Sequence, residues 1–408
     1  MAKTVNAPKI MIHVIHNVPP ARMNSDESGS PKTAMFGDVL RARLSSQNIG
    51  CNIRKSSFIS EVAPIGHRSR ALPHMVKAEL YTMQATDPEF ANVDDDFINE
   101  AAQKLKKFGT NGKNKDDSSA DDKKSSKKAN EEQTAQVIFF TDLDVQFIAK
   151  AMRSAILKAS SFKDFKALEL KDIPAMPECV NNPISIDMAL FGRMVTSDYM
   201  NNVNSAVQIA HALSTHAVFR DSDYFTCVDD MIESGEIAGK GSGMNGTKDF
   251  NSACYYKYSA IDLGVLQENL EYVQGGKQGG KELLKKVVAA YIKAFALEYS
   301  ASGQGRFAAQ TLPDMVMIEV TDGSAPTYEY VNAFETPVPS YGDNPEIVKN
   351  SVKALSEFVD TMDEAYDLPL QFRGYFSPRY GKEFHPEKSE TFDKFNALLD
   401  AVVENIKE

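Results

Sequence analysis

The sequence contains no tryptophan, and its four cysteines, Cys51, Cys179, Cys227 and Cys254, stand far apart without a CxxC pair. That spacing argues against a zinc ribbon or a disulfide framework and marks them as structural thiols. Long apolar runs are missing too: the best candidate, residues 287–297, is cut by Lys293 and falls short of the ~18 uninterrupted apolar residues of a membrane span. Residues 1–9 lack the apolar core of a signal peptide, so a cytoplasmic location away from the membrane is expected. Motifs of catalysis are equally sparse. His211 and His216 are five apart, off the i, i+4 spacing of a helical zinc pair, and no HExxH frame surrounds them. The GQGR run at 303–306 lacks the GxGxxG or GxxxxGK frame of a phosphate loop. Asp229-Asp230 reads as an acidic turn more readily than as a metal site. The expectation is therefore no catalytic residue, no metal and no cofactor.

What is present is an ordinary globular composition, 42% hydrophobic and 25% charged, in a chain long enough for one elaborated domain or two. The net charge of −11 at first argues against nucleic acid, which is bound through Lys and Arg. The sum hides an asymmetry. Residues 1–85 carry eleven bases against five acids, whereas the chain from Asp322 onward carries about twice as many acids as bases. One basic and one acidic face favour head-to-tail stacking of identical subunits.

Residues 9–16 read as a first strand, apolar enough to be central, with His13 and His16 as sheet-packing or surface histidines. It carries no aromatic, and the fingerprint of RNA-recognition motifs is missing, so a sheet of this kind would not bind by stacking bases on its face. Residues 39–44 follow as a strand with Arg41 and Arg43 on one side. Ser45 is placed as an N-cap of a helix through Gln47, Ile49, Ile53, Arg54 and Lys55 to about Phe58. Arginines leading into uncapped helix N–H groups form a phosphate cradle; the same pattern also fits a plain capping serine beside solvent-facing arginines. Arg68 lies in a second basic patch at 65–70. Residues 110–133 hold no large apolar side chain and are charge-balanced, which predicts a mobile surface loop inside a mainly helical insertion, 61–182. Ile184, Ile186, Met188 and Leu190 alternate with smaller or polar residues, predicting a strand that ends in a loop at Gly192, Arg193 and Met194. Apolar positions over 206–213 predict a helix, 281–300 a second one, and 314–320 a core strand. Two C-terminal helices are expected at 344–361 and 391–406. Strand, helix, strand, strand, helix, strand with insertions is an α+β, ferredoxin-like plan.

Several runs carry a resemblance: AMFGDVLRARLSSQ at 34–47, FGRMVTS at 191–197, SAVQIAHALSTHAV at 205–218, DSDYFTCVDD at 221–230, GTKDFNSACYYKY at 246–258, LGVLQENL at 263–270, LPDMVMIEV at 312–320 and VNAFE at 331–335. In this order they resemble the CasC (Cse4) family, the backbone subunits of Cascade in type I-E CRISPR systems. The likeness is weak over 87–182 and after 337. It implies a ferredoxin-like, RRM-like palm (1–60, 183–215 and 252–408), a helical finger at 61–182 and a β-hairpin thumb at 216–251. The implied partners are CRISPR RNA, target DNA paired through the guide, other copies of the chain and the other Cascade subunits. The residues it favours for RNA contact are Arg41, Arg43, Ser45, Gln47, Arg54, Lys55, Arg68, Gly192, Arg193 and Met194. Gly50 and Cys51 are neutral where related proteins look more basic, which leaves Arg54 and Lys55 as the candidates along the helix.

The leading expectation is thus a non-catalytic guide-RNA-binding subunit that repeats along the RNA, leaving sequence recognition to base pairing. Its rivals are a metal-dependent subunit that cleaves target RNA, as in related effector complexes, and a scaffold that binds no RNA.

Overall fold

The computed structural model describes residues 7–108, 132–195, 197–227, 230, 244–274, 276–298, 304–324, 326–342 and 345–406. The chain forms two compact units. The first comprises Met1–Val62, Val207–Gly264 and Leu284–Glu408, and the second Ala63–Ala206 and Val265–Leu283. Most of the expected loop at 110–133, and residues 231–243 of the expected thumb, lie outside the described residues.

Strands β1 (Lys9–Ala21), β2 (Thr33–Phe36) and β3 (Val39–Leu44) open the first unit, whereas β4 (His67–Ser69) and β5 (Ile138–Phe140) pair in the second. The first unit continues with β6 (Val207–Ile209), β7 (Ala212–Ser214), β8 (Asp221–Cys227), β9 (Met244–Asp262), β10 (Met315–Thr321), β11 (Leu370–Phe376) and β12 (Glu390–Phe392). Its sheet runs β12-β11-β10-β1-β9-β7-β3-β2, with β6 and β8 also paired to β9. β1 is antiparallel to both β9 and β10. With β7 beyond β9, the order β10-β1-β9-β7 is the four-strand core of the split βαβ plan that the sequence predicts. Ile10, Met11, Ile12, Val14 and Ile15 are all fully buried, which is why β1 reads as a continuous apolar run: both its faces are covered.

One cover is the amphipathic helix Ile347–Tyr366. Its Val348, Val352, Leu355 and Val359 pack with Met11, Ile15, Tyr256, Tyr258, Met315 and Met317. Within this apolar layer sits a buried polar network. Arg373 Nε donates to Glu319 Oε1 at 2.6 Å, and its Nη1 and Nη2 grip Asp363 at 2.6 and 2.9 Å. Tyr330 donates to the same Glu319 oxygen at 3.1 Å. His13 Nε2 lies 3.3 Å from Glu319 Oε2, although neither atom forms a hydrogen bond. His13 is therefore a sheet-packing histidine, with Nδ1 against the Tyr256 hydroxyl at 2.8 Å.

The second unit is mainly helical, built on Leu72–Thr86, Asp95–Lys104 and Asp142–Lys158 around a core including Leu72, Phe90, Ile148 and Met152. Thr141 and Asp144 start the last of these helices with a capping box.

Two expectations fail. Residues 184–190 do not form a strand: Ile186–Phe191 is a short helix. Every residue from Ile186 to Leu190 is buried, Asp187 included, so alternation carries no face information there. Asp187 is satisfied by Gly66 N at 2.9 Å and the Ser185 hydroxyl at 2.6 Å. Conversely, residues 206–213 are not a helix. Val207–Ile209 and Ala212–Ser214 are strands added to β9, because tertiary pairing outweighs a short apolar pattern. The C-terminal segment also contains β11 and β12, which the sequence pattern does not predict.

The thiols give a check on the fold. Cys51 and Cys227 are exposed, while Cys179 and Cys254 are buried, and burial pushes both thiols up to about 12. Native protein should therefore react with a disulfide reagent rapidly at Cys51 and Cys227, and at the other two only on unfolding. Rapid modification of Cys254 in folded protein would contradict its position in the sheet.

Candidate nucleic-acid interface

In the first unit, β2 and β3 form a hairpin whose turn needs positive φ at Gly37 (58°) and Asp38 (59°). A β-carbon on Gly37 would stand 1.7 Å from the Glu335 carbonyl, so only glycine fits. Arg41, on β3, is fully buried. Its Nε donates to Phe36 O at 3.0 Å, Nη1 to Ser214 O at 3.1 Å, and Nη2 to Phe334 O and Glu335 O at 2.7 and 3.1 Å. The phosphate contact expected of Arg41 is thus corrected: its guanidinium is occupied by carbonyls and ties three chain segments together. Desolvation by burial lowers its pKa.

Arg43 is half-buried, and its backbone N–H donates to Lys32 O at 2.9 Å. Ser45 caps the helix Ser46–Arg54 as expected, its Oγ accepting from Asn48 N at 3.3 Å. Ser46 N donates to His211 Nδ1 at 3.0 Å. Two of the first N–H groups of this helix are therefore taken within the protein, which corrects the picture of an uncapped N-terminus. His211 is exposed, and its pKa is lowered first by desolvation and then by Arg43 and Lys32. With Nδ1 accepting, the neutral ring carries its proton on Nε2. Lys32, Arg43 and His211 thus converge at the start of the helix. Ile49 and Ile53 anchor its inner face, Gln47 and Lys55 are exposed, and Arg54 is half-buried in the last turn. The helix breaks at Lys55 and Ser56, short of the extent expected, and a further turn, Ser57–Ser60, follows. The sequence pattern does not single out Lys32 or His211, because the first lies in a polar loop and the second in a stretch that reads as a helix.

In the second unit, the helix Ile186–Phe191 stops at Gly192, whose φ of 75° and close approach to Val203 O and Ser205 N leave no space for a β-carbon. Arg193 and Val203 then exchange backbone hydrogen bonds of 2.9 and 2.8 Å. The Arg193 side chain is 7% exposed; Nε donates to Asn201 O at 2.9 Å, and Nη1 lies 3.6 Å from Met188 Sδ. Its role as an exposed phosphate contact is likewise corrected. Burial lowers its pKa, with Asp144 and Cys179 acting in the opposite direction. The next residue turns outward: Met194 is 92% exposed, between buried Arg193 and buried Val195. A groove rich in asparagine, including Asn181, Asn182, Asn202 and Asn204 with Tyr272, adjoins Arg193. Arg68 is exposed on β4.

Among the described residues, no group of three or more His, Cys, Asp or Glu is arranged to hold a metal, and no helix is long and apolar enough to cross a membrane.

A family model described as CT1975-like protein matches residues 10–405. Among solved structures, the chain is similar to one described as "CRISPR RNA-guided surveillance complex, pre-nicking", with 24% identity and a TM-score of 0.78 over 98% of this chain and 100% of that one. A second, "CRISPR RNA-guided surveillance complex", has 21% identity and a TM-score of 0.67 over 97% of this chain and 99% of that one. These likenesses establish the fold. No curated protein matches the chain.

Proposed function

The chain belongs to the CT1975-like protein family, and from that premise we propose that it is a non-catalytic backbone subunit of a Cascade-type, type I-E surveillance complex. It binds CRISPR RNA, repeats along it as a helical filament with the other Cascade subunits, and presents the guide for pairing with target DNA. The observation that carries this reading is the full-length likeness of fold to chains of RNA-guided surveillance complexes. The basic helix start at Lys32, Arg43 and Ser45, with Gln47, Arg54 and Lys55 beyond it, supports it as a surface for phosphates.

Purified protein offers a direct test. Because the chain has no tryptophan, co-purified RNA dominates the ratio of absorbance at 260 and 280 nm. Native mass spectrometry with guide RNA should then give a ladder of bound subunits. Protein that neither carries RNA nor binds it sinks the proposal, and magnesium-dependent cleavage of matched labelled RNA replaces it with the nuclease reading.

Met194 is the apolar contact in this reading. An unbranched, polarisable side chain accepts any base, as a guide of variable sequence requires. Met194→Ala should weaken RNA binding by about 1 kcal/mol, at the low end of base-stacking losses. Equal affinity of variant and wild type for single-stranded RNA would leave Met194 without that role.

A further inference from the structure

The hairpin of β8 and β9 carries another group of cations. Phe225 stands opposite Gly246 in the register, and the missing β-carbon lets the ring lie across the strand: one built at Gly246 would sit 2.9 Å from Phe225 Cζ. Lys248 Nζ is 5.0 Å from the centre of that ring, and Arg306 Cζ is 5.7 Å from it. Arg306 is brought there by the short helix Gln304–Phe307, whose Phe307 packs on Phe250 with ring centroids 5.7 Å apart. Arg22, from the segment after β1, is the third cation. Lys248 registers both neighbours: its pKa is lowered first by desolvation and then by Arg306 and Arg22.

Neighbouring like charges repel one another unless something negative lies among them. Among the described residues, none of the three forms an ion pair. Arg22 Nη1 donates to Gly29 O at 3.2 Å, but its Nε is buried without a hydrogen-bond partner. Asp223 stands opposite Lys248 in the register yet makes no ion pair with it. Asp249 points to the other face of the strand, where the hydroxyls of Ser30 and Ser222 hold it at 2.8 and 2.7 Å.

We propose that Lys248 and Arg306, gathered on Phe225, form with neighbouring Arg22 a phosphate-binding site that grips a phosphodiester of a nucleic-acid strand at the base of the hairpin. Ammonium and guanidinium donors side by side suit a tetrahedral oxyanion, and the phenyl ring beside them offers apolar surface to the sugar or base attached to it. The strand as the source of the phosphate rests on the RNA-binding reading above; the affinity for phosphate oxygens does not.

Two probes separate these layers. Full-length wild type and the combined variant Arg22→Gln, Lys248→Gln, Arg306→Gln are titrated with an oligouridylate over a range of potassium chloride concentrations. The slope of log affinity against log salt should fall by about 2 in the variant, roughly 0.7 for each phosphate no longer neutralised. An unchanged slope overturns the site while leaving the RNA-binding reading intact. Inorganic tripolyphosphate is the second probe, read as a rise in melting temperature of the wild type that the variant lacks. If the wild type binds no oligouridylate but keeps that rise, the RNA reading fails and the anion site stands. If neither probe responds to the substitutions, the site is wrong. Because Arg22 also supports the Gly29 carbonyl, the pair Lys248→Gln, Arg306→Gln serves if the triple variant does not fold, with an expected slope change of about 1.4.

Discussion

Replacing Arg373 with methionine should lower the unfolding free energy of the sheet unit by about 3–5 kcal/mol at neutral pH, the usual loss when one partner of a buried ion pair is removed. The size follows from what remains. Glu319 has no exposure, and its Oε1 would keep only the Tyr330 hydroxyl, while Asp363 would lose both of its guanidinium bonds. A methionine of similar length fills the space but offers no donor. Replacing Glu319 with leucine in the same chain should recover part of the loss, since it removes the stranded charge. Urea denaturation of the single and double variants reads both effects. A single variant within about 1 kcal/mol of wild type would show that the network contributes little.

Acidity gives this prediction a second signature. Burial is the largest influence on Glu319 and pushes its carboxyl up, but Arg373 and His13 outweigh it and hold the pKa below the ordinary value. A depressed carboxyl contributes stability above its unfolded pKa of about 4.3, and that stability is lost as pH falls through the folded value below it. Without Arg373, burial prevails and the folded carboxyl binds its proton more tightly than the unfolded one does. The Arg373→Met variant should therefore regain stability as pH falls from neutral towards 4, narrowing its deficit. A deficit that stays constant over that range would place the cost in packing.

Much of the first unit is legible in the sequence because its strands are long and its apolar runs unambiguous. The runs 9–16 and 314–320 have one reading as buried strands, and Ser45 has one reading as a cap. Short segments are less informative. Over 186–190 a completely buried stretch imitates alternation, and over 206–213 six apolar residues fit a helix as well as two short strands paired with β9. The candidate interface fails in a related way. Alternation puts Arg41 and Arg43 on one side of β3, but it does not say that Phe334, Glu335 and Ser214 cover the first and leave the second half-exposed. A buried arginine satisfied by carbonyls has the same local sequence as one awaiting a phosphate. Only residues nearly 300 positions away along the chain decide between them. Met194 is readable for the opposite reason: no core face is available to it.

The same distinction sets what remains to bind RNA at the helix start, and it leads to the largest functional effect expected. With Arg41 withdrawn, the cations along β3 and this helix are Arg43 before its start and Arg54 and Lys55 at its end, with Lys32 beside Arg43. Changing Arg43, Arg54 and Lys55 together to glutamine should reduce the salt slope of single-stranded RNA binding by about 2, since each neutralised phosphate contributes roughly 0.7. At 0.1 M salt that corresponds to an affinity loss of about 100-fold, similar for every RNA sequence because phosphates carry no base identity. Arg41→Gln makes the contrast: it should leave the slope unchanged while lowering the melting temperature, because its four carbonyl acceptors lose their donors. Should Arg41→Gln reduce the slope by as much as any of the exposed cations, its guanidinium would have to leave its carbonyl cage on binding. The assignment of the helix start would then need to be rebuilt around it.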